Sequence, residues 1–414
     1  MDNYYEGSIV FLIEPYYVGL QFIDVCKEIN CQYVIIRRDN GPYLDSNFGE
    51  IIVVDIYDIT ETINAISKKL SEKKYERVAI LAGTDFCVDI VAQINQKLGL
   101  KSNSEEAAIG SRNKLAMRKI LKENNVLCPN FQHFNNLHEI KTYKKGFDYP
   151  LVIKPTDMAG SAFVTLINNF DELVSSAEQI FSINNNILNY NKDSSILIEE
   201  YITGEEFSVE LVLSDGNTVF SSITEKCKGS LPHFIEFGHI VPPRSIADSY
   251  SFNIIECAKK AAGAIGIIHG PAHVEIIYTS KGPSVVEVAS RMGGDNIMKL
   301  TQYSTGIYIP KLVIDLTLGL DIESNNNVSK GGSAIKYLEC LPGKIVDINI
   351  DDKIKCNENL LDIHLDVKEG DYVKRVSSSY DRIGYIMTVG VDGKEAYDLA
   401  CELASGIEIK TVIH

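Results

Sequence analysis

Residues 273–295 read HVEIIYTSKGPSVVEVASRMGGD, in which two short apolar runs, EIIY and VVEV, flank a turn. Each run carries one glutamate, Glu275 and Glu287. In an antiparallel hairpin the numbers of opposed residues sum to a constant. A turn centred on Lys281–Gly282 therefore sets Glu275 opposite Glu287 and Ile276 opposite Val286. Because side chains alternate, His273, Glu275, Glu287 and Arg291 are predicted on one face, with Val274, Ile276, Val286 and Val288 on the other. Two carboxylates directly opposed repel each other and destabilise a bare sheet. A solvated outer face would tolerate them, whereas a divalent cation between them would explain them. Mg²⁺ is a hard ion that takes oxygen ligands, typically one or two carboxylates beside substrate phosphates, and it fits such a pair.

The totals frame this reading. A chain of 414 residues is expected to hold two to four domains. Its 45% hydrophobic and 9% aromatic content is that of a globular protein with real cores. A formal charge of −16 leaves no basic excess to neutralise phosphates and argues against a nucleic-acid partner. Small anionic ligands need only a few local cations and are not excluded. The nine cysteines are scattered singly with no C-x-x-C pair, so neither a zinc site nor a disulfide framework is indicated. The amino terminus, MDNYYEGSIVFLIEPYY, lacks a basic n-region and a small-residue cleavage site. No apolar run approaches the roughly 20 residues that span a bilayer. A cytoplasmic protein is expected.

Along the first hundred residues, SIVFLIE, QYVIIRR, IIVVDI and RVAILAG alternate with helical patterns around GLQFIDVCKEIN and ETINAISKKL. That rhythm implies an open parallel sheet with helices on its faces. FLIEPYYVG stands where a dinucleotide fingerprint would follow the first strand, which weakens that reading. SRNKLAMRKILKENN (111–125) is predicted to be a helix with Ser111 as N-cap. The Asn-rich piece 182–195 reads as a surface loop and ESNNNVSKGG (323–332) as a linker. Residues 331–414 have the pattern of a small α+β unit closed by a helix from about Gly393.

Two further segments suit a nucleotide. YPLVIKP places Lys154 at the end of an apolar strand, and the following TDMAGSA loop offers Gly160 for close backbone approach to an anion and Ser161 as a hydroxyl donor. An exposed lysine before an ordinary turn would look the same. In ILIEEYITGEEFSVEL a strand ends at Glu199 and Glu200 and resumes after Gly204. Such an edge can present backbone donor and acceptor to an adenine, with Glu206 accepting from ribose hydroxyls. A hairpin with acidic flanks is the plainer alternative.

Taken in order, RNKLAMRKIL, VIKPTDMAGSAFV, LIEEYITGEEFSVEL and GPAHVEIIYTSKGPSVVEVASRMGGD resemble the succession of motifs in the ATP-grasp superfamily. The tail GDYVKRVSSSYDRIGYIMTVGVDGKEAYDLA resembles the closing domain of the branch that includes L-amino-acid ligases and biotin carboxylases. The resemblance implies a multidomain α/β and α+β protein, an ATP-grasp fold preceded by an open parallel βαβ domain and followed by a small α+β domain. The implied boundaries are 1–110 for the N-terminal domain, 111–205 for the lid subdomain with its connecting helix, 206–330 for the large subdomain with the metal hairpin, and 331–414 for the C-terminal domain. It further implies that Lys114 and Lys154 contact ATP phosphates under a closing loop at 156–162. By the same resemblance Glu199, Glu200, Tyr201 and Ile202 hold adenine, largely through backbone, and Glu206 holds the ribose. Glu275 and Glu287 would bind Mg²⁺, or Mn²⁺ in its place, and Arg291 would face the acyl phosphate or the substrate carboxylate. One departure stands out: the usual Glu-x-Asn-x-Arg is here Glu287-Val-Ala289-Ser290-Arg291, without the asparagine that often completes metal coordination.

PHFIEFGHIVPPR carries a Glu-x-x-His-x-x-Pro element similar to that of L-amino-acid ligases, with Glu236, His239 and Pro242. Glu236 would receive an amino group, and His239 would assist a carboxylate or the amine's proton. Asp295 lies where it could reach the same pocket. The expected function is ATP-driven joining of a carboxylate, that of an amino acid, to an amine, with release of ADP and phosphate. The expected partners are small molecules only, with neither nucleic acid nor membrane, and the branch suggests a homodimer. Two alternatives remain at this point: an ATP-grasp carboxylase or purine-pathway ligase, and an ATP-binding regulatory module that has lost turnover.

Overall fold

The computed structural model describes residues 4–38, 48–143, 146–183, 193, 195–229, 231–244, 246–322 and 330–412. Most of the predicted loop at 182–195, and the linker over 323–329, lie outside the described residues.

The N-terminal part is the parallel sheet that the apolar rhythm predicts. Strands β1 (Ser8–Ile13), β2 (Gln32–Arg37), β3 (Glu50–Val53) and β4 (Arg77–Ala82) stand in the order β3-β2-β1-β4. Helix α1 (Leu20–Glu28) links β1 to β2, α2 (Ile59–Ser71) links β3 to β4, and α3 (Val88–Lys97) follows β4. All six residues of β1 are buried. Its two faces serve separate cores: Val10 and Leu12 pack with Phe22 and Ile23 of α1, whereas Ile9, Phe11 and Ile13 pack with Ile66 of α2 and Ile90 of α3. A central parallel strand therefore reads as a continuous apolar run.

Helices α4 (Glu105–Arg112) and α5 (Lys114–Glu123) follow. The predicted helix is thus split. Asn113, not Ser111, caps α5, its side-chain oxygen accepting from the N–H groups of Leu115 and Ala116 at 3.0 Å each. Ser111 lies in the last turn of α4 and donates back to the Ala108 carbonyl at 2.8 Å. Both residue types favour caps, and the extended backbone at Asn113 (φ −86°, ψ 114°) decides which one acts.

A small antiparallel sheet comes next. It contains β5 (Phe131–Phe134), β6 (Leu151–Pro155), β7 (Thr165–Ile167) and β8 (Ile196–Glu200), ordered β5-β8-β6-β7, with α6 (Leu137–Thr142) and α7 (Phe170–Ser182) against it. The main sheet has eight strands. Its first part holds β9 (Glu205–Ser214), β10 (Asn217–Lys228), β11 (Glu236–Val241), β12 (Gly270–Thr279) and β13 (Gly282–Ala289). α8 (Asp248–Ile265) backs it, and α9 (Ile297–Thr305) and α10 (Ile309–Thr317) lead out of it. α10 sends Val313 and Ile314 into the core beneath α1, so a helix far along the chain covers one face of the N-terminal sheet.

The C-terminal residues form β14 (Gly332–Tyr337), β15 (Gly343–Ile350), α11 (Asp352–Lys355), β16 (Leu360–Leu365), β17 (Tyr372–Val373), β18 (Gly384–Gly390), α12 (Gly393–Ser405) and β19 (Ile407–Val412). The main sheet runs β13-β12-β9-β10-β11-β14-β18-β16, so its strands continue across residue 330 without a break. β17, β15 and β19 make a separate three-stranded sheet. Among the described residues no helix is long and apolar enough to cross a membrane.

The hairpin is held down by Val274, Ile276, Val285 and Val288, all fully buried in one cluster with Ala258, Ala261 and Ala262 of α8. Ile276→Ala would remove a fully buried side chain from a site with little freedom to collapse. It is expected to lower unfolding free energy by about 2–5 kcal/mol, as measured by the shift of the denaturant midpoint at unchanged slope.

Candidate active site

β12 and β13 pair antiparallel with Glu275 directly opposite Glu287, as the sum rule requires. Beyond that pair the register slips: Ile276 faces Val285, and Val286 is an extra residue on β13. This corrects the expected Ile276–Val286 pairing. The cause is a β-bulge, which bends the strand and re-aims side chains. Val285 takes the core position, while Val286 lines the cavity and its carbonyl accepts from Arg118 Nη2 at 2.6 Å.

Every residue expected at the site lines one cavity of about 700 Å³. Lys114, Lys154, Gly160, Ser161, Glu199, Glu200, Tyr201, Ile202, Glu206, Glu236, His239, Glu275, Glu287 and Arg291 all face it. Elements from all parts of the chain converge there, and its size suits a nucleotide-scale ligand.

At one end of the cavity, Lys114 opens α5 with its ammonium 3.4 Å from Glu287 Oε2 and donates to the Met158 carbonyl at 2.8 Å. Lys154 Nζ lies 2.6 Å from Glu199 Oε2, and Arg118 Nε lies 2.6 Å from Glu199 Oε1. Arg118 is fully buried and Glu199 nearly so. Burial opposes ionisation of Glu199, but Arg118 and then Lys154 outweigh it and hold the carboxyl below its usual range. Lys154 is shifted down, chiefly by burial, against the pull of Glu199. One anion shared by two cations leaves this lysine short of negative charge.

Glu199 is paired on both sides, with Phe131 of β5 and Val152 of β6, so the ladder and the ion pairs engage it fully. Glu200 accepts from Asn130 through both carboxylate oxygens. The open part of this segment is Tyr201–Ile202, beyond the strand end, where neither backbone N–H donates to another described residue. In the 156–162 loop Gly160 has φ +66°, and a Cβ on it would fall 2.7 Å from the Tyr380 ring. A larger residue would have to push the Tyr380 ring aside, and the positive φ favours glycine, which lets the loop lie against the C-terminal part.

Lys226 of β10 is the residue that sequence reading missed most plainly. Its ammonium lies 3.0 Å from Glu206, 2.9 Å from Glu236 and 2.9 Å from Glu275. Burial works against its charge, but Glu236, Glu275 and Glu206 together raise it well above the usual lysine value. A lysine in an alternating strand, TVFSSITEKCK, was the available signal; which neighbours it would meet was not.

Glu236 and His239 both reach the cavity although they are three apart on one strand. The β10–β11 register shifts so that Lys228 faces Glu236 while Cys227 faces Gly238, which absorbs Phe237 as an extra residue. His239 is 1% exposed. Its Nε2 lies 3.1 Å from Asp295 Oδ2, and its Nδ1 is buried with no hydrogen-bond partner among the described residues.

Asp295 is also gripped in a fork by Arg382, at 2.8 and 2.6 Å, and accepts from the Tyr17 hydroxyl at 3.0 Å. Burial opposes its charge, yet Arg382 and then His239 hold it well below the usual carboxylate range. The Arg382 guanidinium stacks 3.7 Å over the Tyr337 ring. Arg291 Nε lies 3.0 Å from Asp85 of the N-terminal part. Neither Arg382 nor Asp85 stood out in the sequence, because each lies far from the residue it orients.

His273, opposite Ala289 on the hairpin, bonds Glu210 through Nδ1 at 2.5 Å and approaches Glu275 through Nε2 at 3.3 Å. Burial lowers its pKa, but the Glu210 charge and both carboxylate contacts raise it to about 9.

Arg118→Met would leave the buried Glu199 with one cation instead of two; a loss of about 3–5 kcal/mol in unfolding free energy is expected by chemical denaturation. The folded pKa of His273 lies above the free value of 6.5. Its contribution is therefore complete below that value and lost as pH rises through about 9. For the metal-free protein, the gap in denaturant midpoint between wild type and His273→Gln should be widest near pH 6 and shrink by about pH 10. A constant gap would contradict the assignment.

Residues 147–299 match the ATP-grasp domain, and residues 338–412 match L-amino acid ligase C-terminal domain 2. The chain is 25% identical over 370 residues to an L-arginine-specific L-amino acid ligase of Bacillus subtilis, covering 87% of this chain and 88% of that protein. It is 26% identical over 267 residues to an alanine–anticapsin ligase of Bacillus subtilis (strain 168), covering 59% and 55%. A crystal structure of L-amino acid ligase from Bacillus licheniformis superposes with a TM-score of 0.81 at 19% identity, covering 98% of this chain and 99% of that one. The chain belongs to the ATP-grasp superfamily, in the branch of ATP-dependent carboxylate–amine ligases that carries the L-amino acid ligase C-terminal domain.

Proposed function

We propose that this chain activates the carboxylate of an amino acid as an acyl phosphate and joins it to the amine of a second amino acid, forming a dipeptide and releasing ADP and phosphate. The observation that carries this reading is convergence. Five separate stretches meet at one cavity: the glutamate hairpin, the segments of Lys114 and Lys154, the open Tyr201–Ile202 edge and the Glu236–His239 strand.

The donor set suits the groups it would hold. Glu275 and Glu287 offer hard oxygen ligands, and about a fifth of each side chain is exposed to the cavity, 22% and 20%. A divalent ion held there would neutralise the polyphosphate and pull electron density from the transferred group. Lys114 and Lys154 would bind phosphate oxygens, with Gly160 and Ser161 closing over them. Lys154, depleted of compensating negative charge, gains most from such a ligand. The Tyr201–Ile202 backbone would hydrogen-bond the adenine edge, and Glu206 the ribose hydroxyls.

A free carboxylate is a poor electrophile at neutral pH, and phosphorylation supplies its leaving group. Phosphoryl transfer needs alignment and charge neutralisation more than covalent help. Arg291, fixed by Asp85, is placed to steady negative charge on the acyl oxygen as the amine attacks. Glu236 would receive an ammonium group of a substrate. His239, held through Nε2 by Asp295, lines the same space and would assist the carboxylate or the amine's proton.

ADP release measured with magnesium across a panel of amino acids and amino-acid pairs tests this, with products identified by mass. Release that needs an amine and yields a dipeptide supports it; bicarbonate-dependent release would replace it with a carboxylase, and tight ATP binding without turnover with a regulatory module. Glu287→Ala should cut turnover by roughly 10²–10³-fold or more with only a small change in melting temperature, because it relieves the opposition to Glu275 but also gives up the Lys114 contact. Wild-type rates in that variant would remove the metal assignment.

A further inference from the structure

Nine carboxylates line the cavity, and seven of them lie within 3.4 Å of a lysine or arginine nitrogen. Glu200 is satisfied by Asn130 through both of its oxygens. That leaves Asp366, which follows β16 at an open end of the cavity with its side chain 56% exposed. Among the described residues its side chain has one partner, Nε2 of His364 at 3.1 Å, and no lysine or arginine nitrogen within 4.0 Å. Beside it stands a row of rings. Tyr337 of β14 faces Tyr385 of β18, which in turn faces His364 of β16. Their centroids are 6.3 and 5.5 Å apart, and all three line the cavity. The Tyr385 hydroxyl donates to Asp362 Oδ2 at 2.9 Å, which fixes the ring and sets a carboxylate behind it. The Arg382 guanidinium already covers Tyr337, whereas among the described residues no cation lies over Tyr385. Asp362, His364 and Asp366 recur at every second position, yet among the described residues no such group is arranged to hold a metal ion.

A tyrosine face next to a carboxylate that has no lysine or arginine of its own attracts an organic cation. We infer that this end of the cavity receives the side chain of a basic amino acid, with Asp366 taking its ammonium or guanidinium and the Tyr385 ring lying beneath it. The inference rests on the reading of the cavity as a ligase site, and it names the class of one substrate, the one whose α-ammonium Glu236 would receive. β11, β14, β18 and β16 are successive strands of the main sheet, with Glu236 on the first and His364 on the last. At about 4.8 Å per strand they span roughly 14 Å, so a long side chain is needed to reach from the Glu236 end towards Asp366. A short apolar side chain would leave Asp366 in water and gain nothing from it. Because Asp366 is more than half exposed, water screens the pair. The discrimination it supplies is therefore about tenfold rather than thousandfold.

The test compares side chains that differ in charge and little else: L-arginine against L-citrulline, and L-lysine against L-norleucine. Each is offered with magnesium, ATP and the same second amino acid, and kcat/KM is read from ADP release with the product identified by mass. The charged member of a pair is expected to exceed its neutral counterpart about tenfold, through a lower KM. A preference in either pair supports the inference and names the head group. In Asp366→Asn that ratio should fall towards one, and in Asp366→Lys it should invert. Equal kcat/KM within both pairs for the wild type, or a ratio that survives Asp366→Asn, would overturn the inference while leaving the ligase reading intact. ADP release that no amino acid stimulates would overturn both. Should Asp366→Asn not fold, the wild-type ratios still decide.

Discussion

Charge balance away from water is the constraint on which the rest of this structure depends. Carboxylates cannot gather in a partly buried cavity unless cations are fixed among them, because the desolvation cost of each ion is several kcal/mol. Here the balance is built from shared ions rather than isolated pairs. Lys226 serves three glutamates, Glu199 serves two cations, and Asp295 serves Arg382 and His239 together. Each shared ion ties together elements that are remote in sequence. The electrostatics that make the cavity chemically useful are therefore also what hold its walls in register.

Those walls come from every part of the chain. The turns that follow β4 and β1 of the N-terminal part supply Asp85, which anchors Arg291, and Tyr17, which donates to Asp295. The C-terminal residues supply Arg382 and its Tyr337 platform. Tyr380 rests on Gly160, so the 156–162 loop and the C-terminal part meet at the cavity. The unbroken eight-stranded sheet makes this arrangement stiff, since β11 carries Glu236 and its neighbour β14 ends in Tyr337. Rigid strands hold catalytic groups more accurately than loops can, and phosphoryl transfer depends on such placement.

Two β-bulges refine the positions further. At Val286 the extra residue moves one side chain from core to cavity and offers a carbonyl to Arg118. At Phe237 it lets Glu236 and His239 face the same space, which regular alternation would forbid. In both places one inserted residue changes which groups face the cavity. Bulges are common beside active sites for this reason.

Much of this was legible in the sequence. Short apolar runs gave the strands, the βαβ rhythm gave the parallel sheet, and the hairpin sum rule paired Glu275 with Glu287. Each of these follows from local stereochemistry, which a window of a few residues contains. The motif order identified the residues that line the cavity. What only the tertiary structure decided was pairing at a distance: Lys226 with its three glutamates, Arg118 with Glu199, Arg382 with Asp295, and Asp85 with Arg291. The bulges belonged to the same class, because an extra residue shows only against its partner strand. Ion pairing and register are properties of two or more segments brought together by the fold, and no single stretch of sequence records which segments will meet.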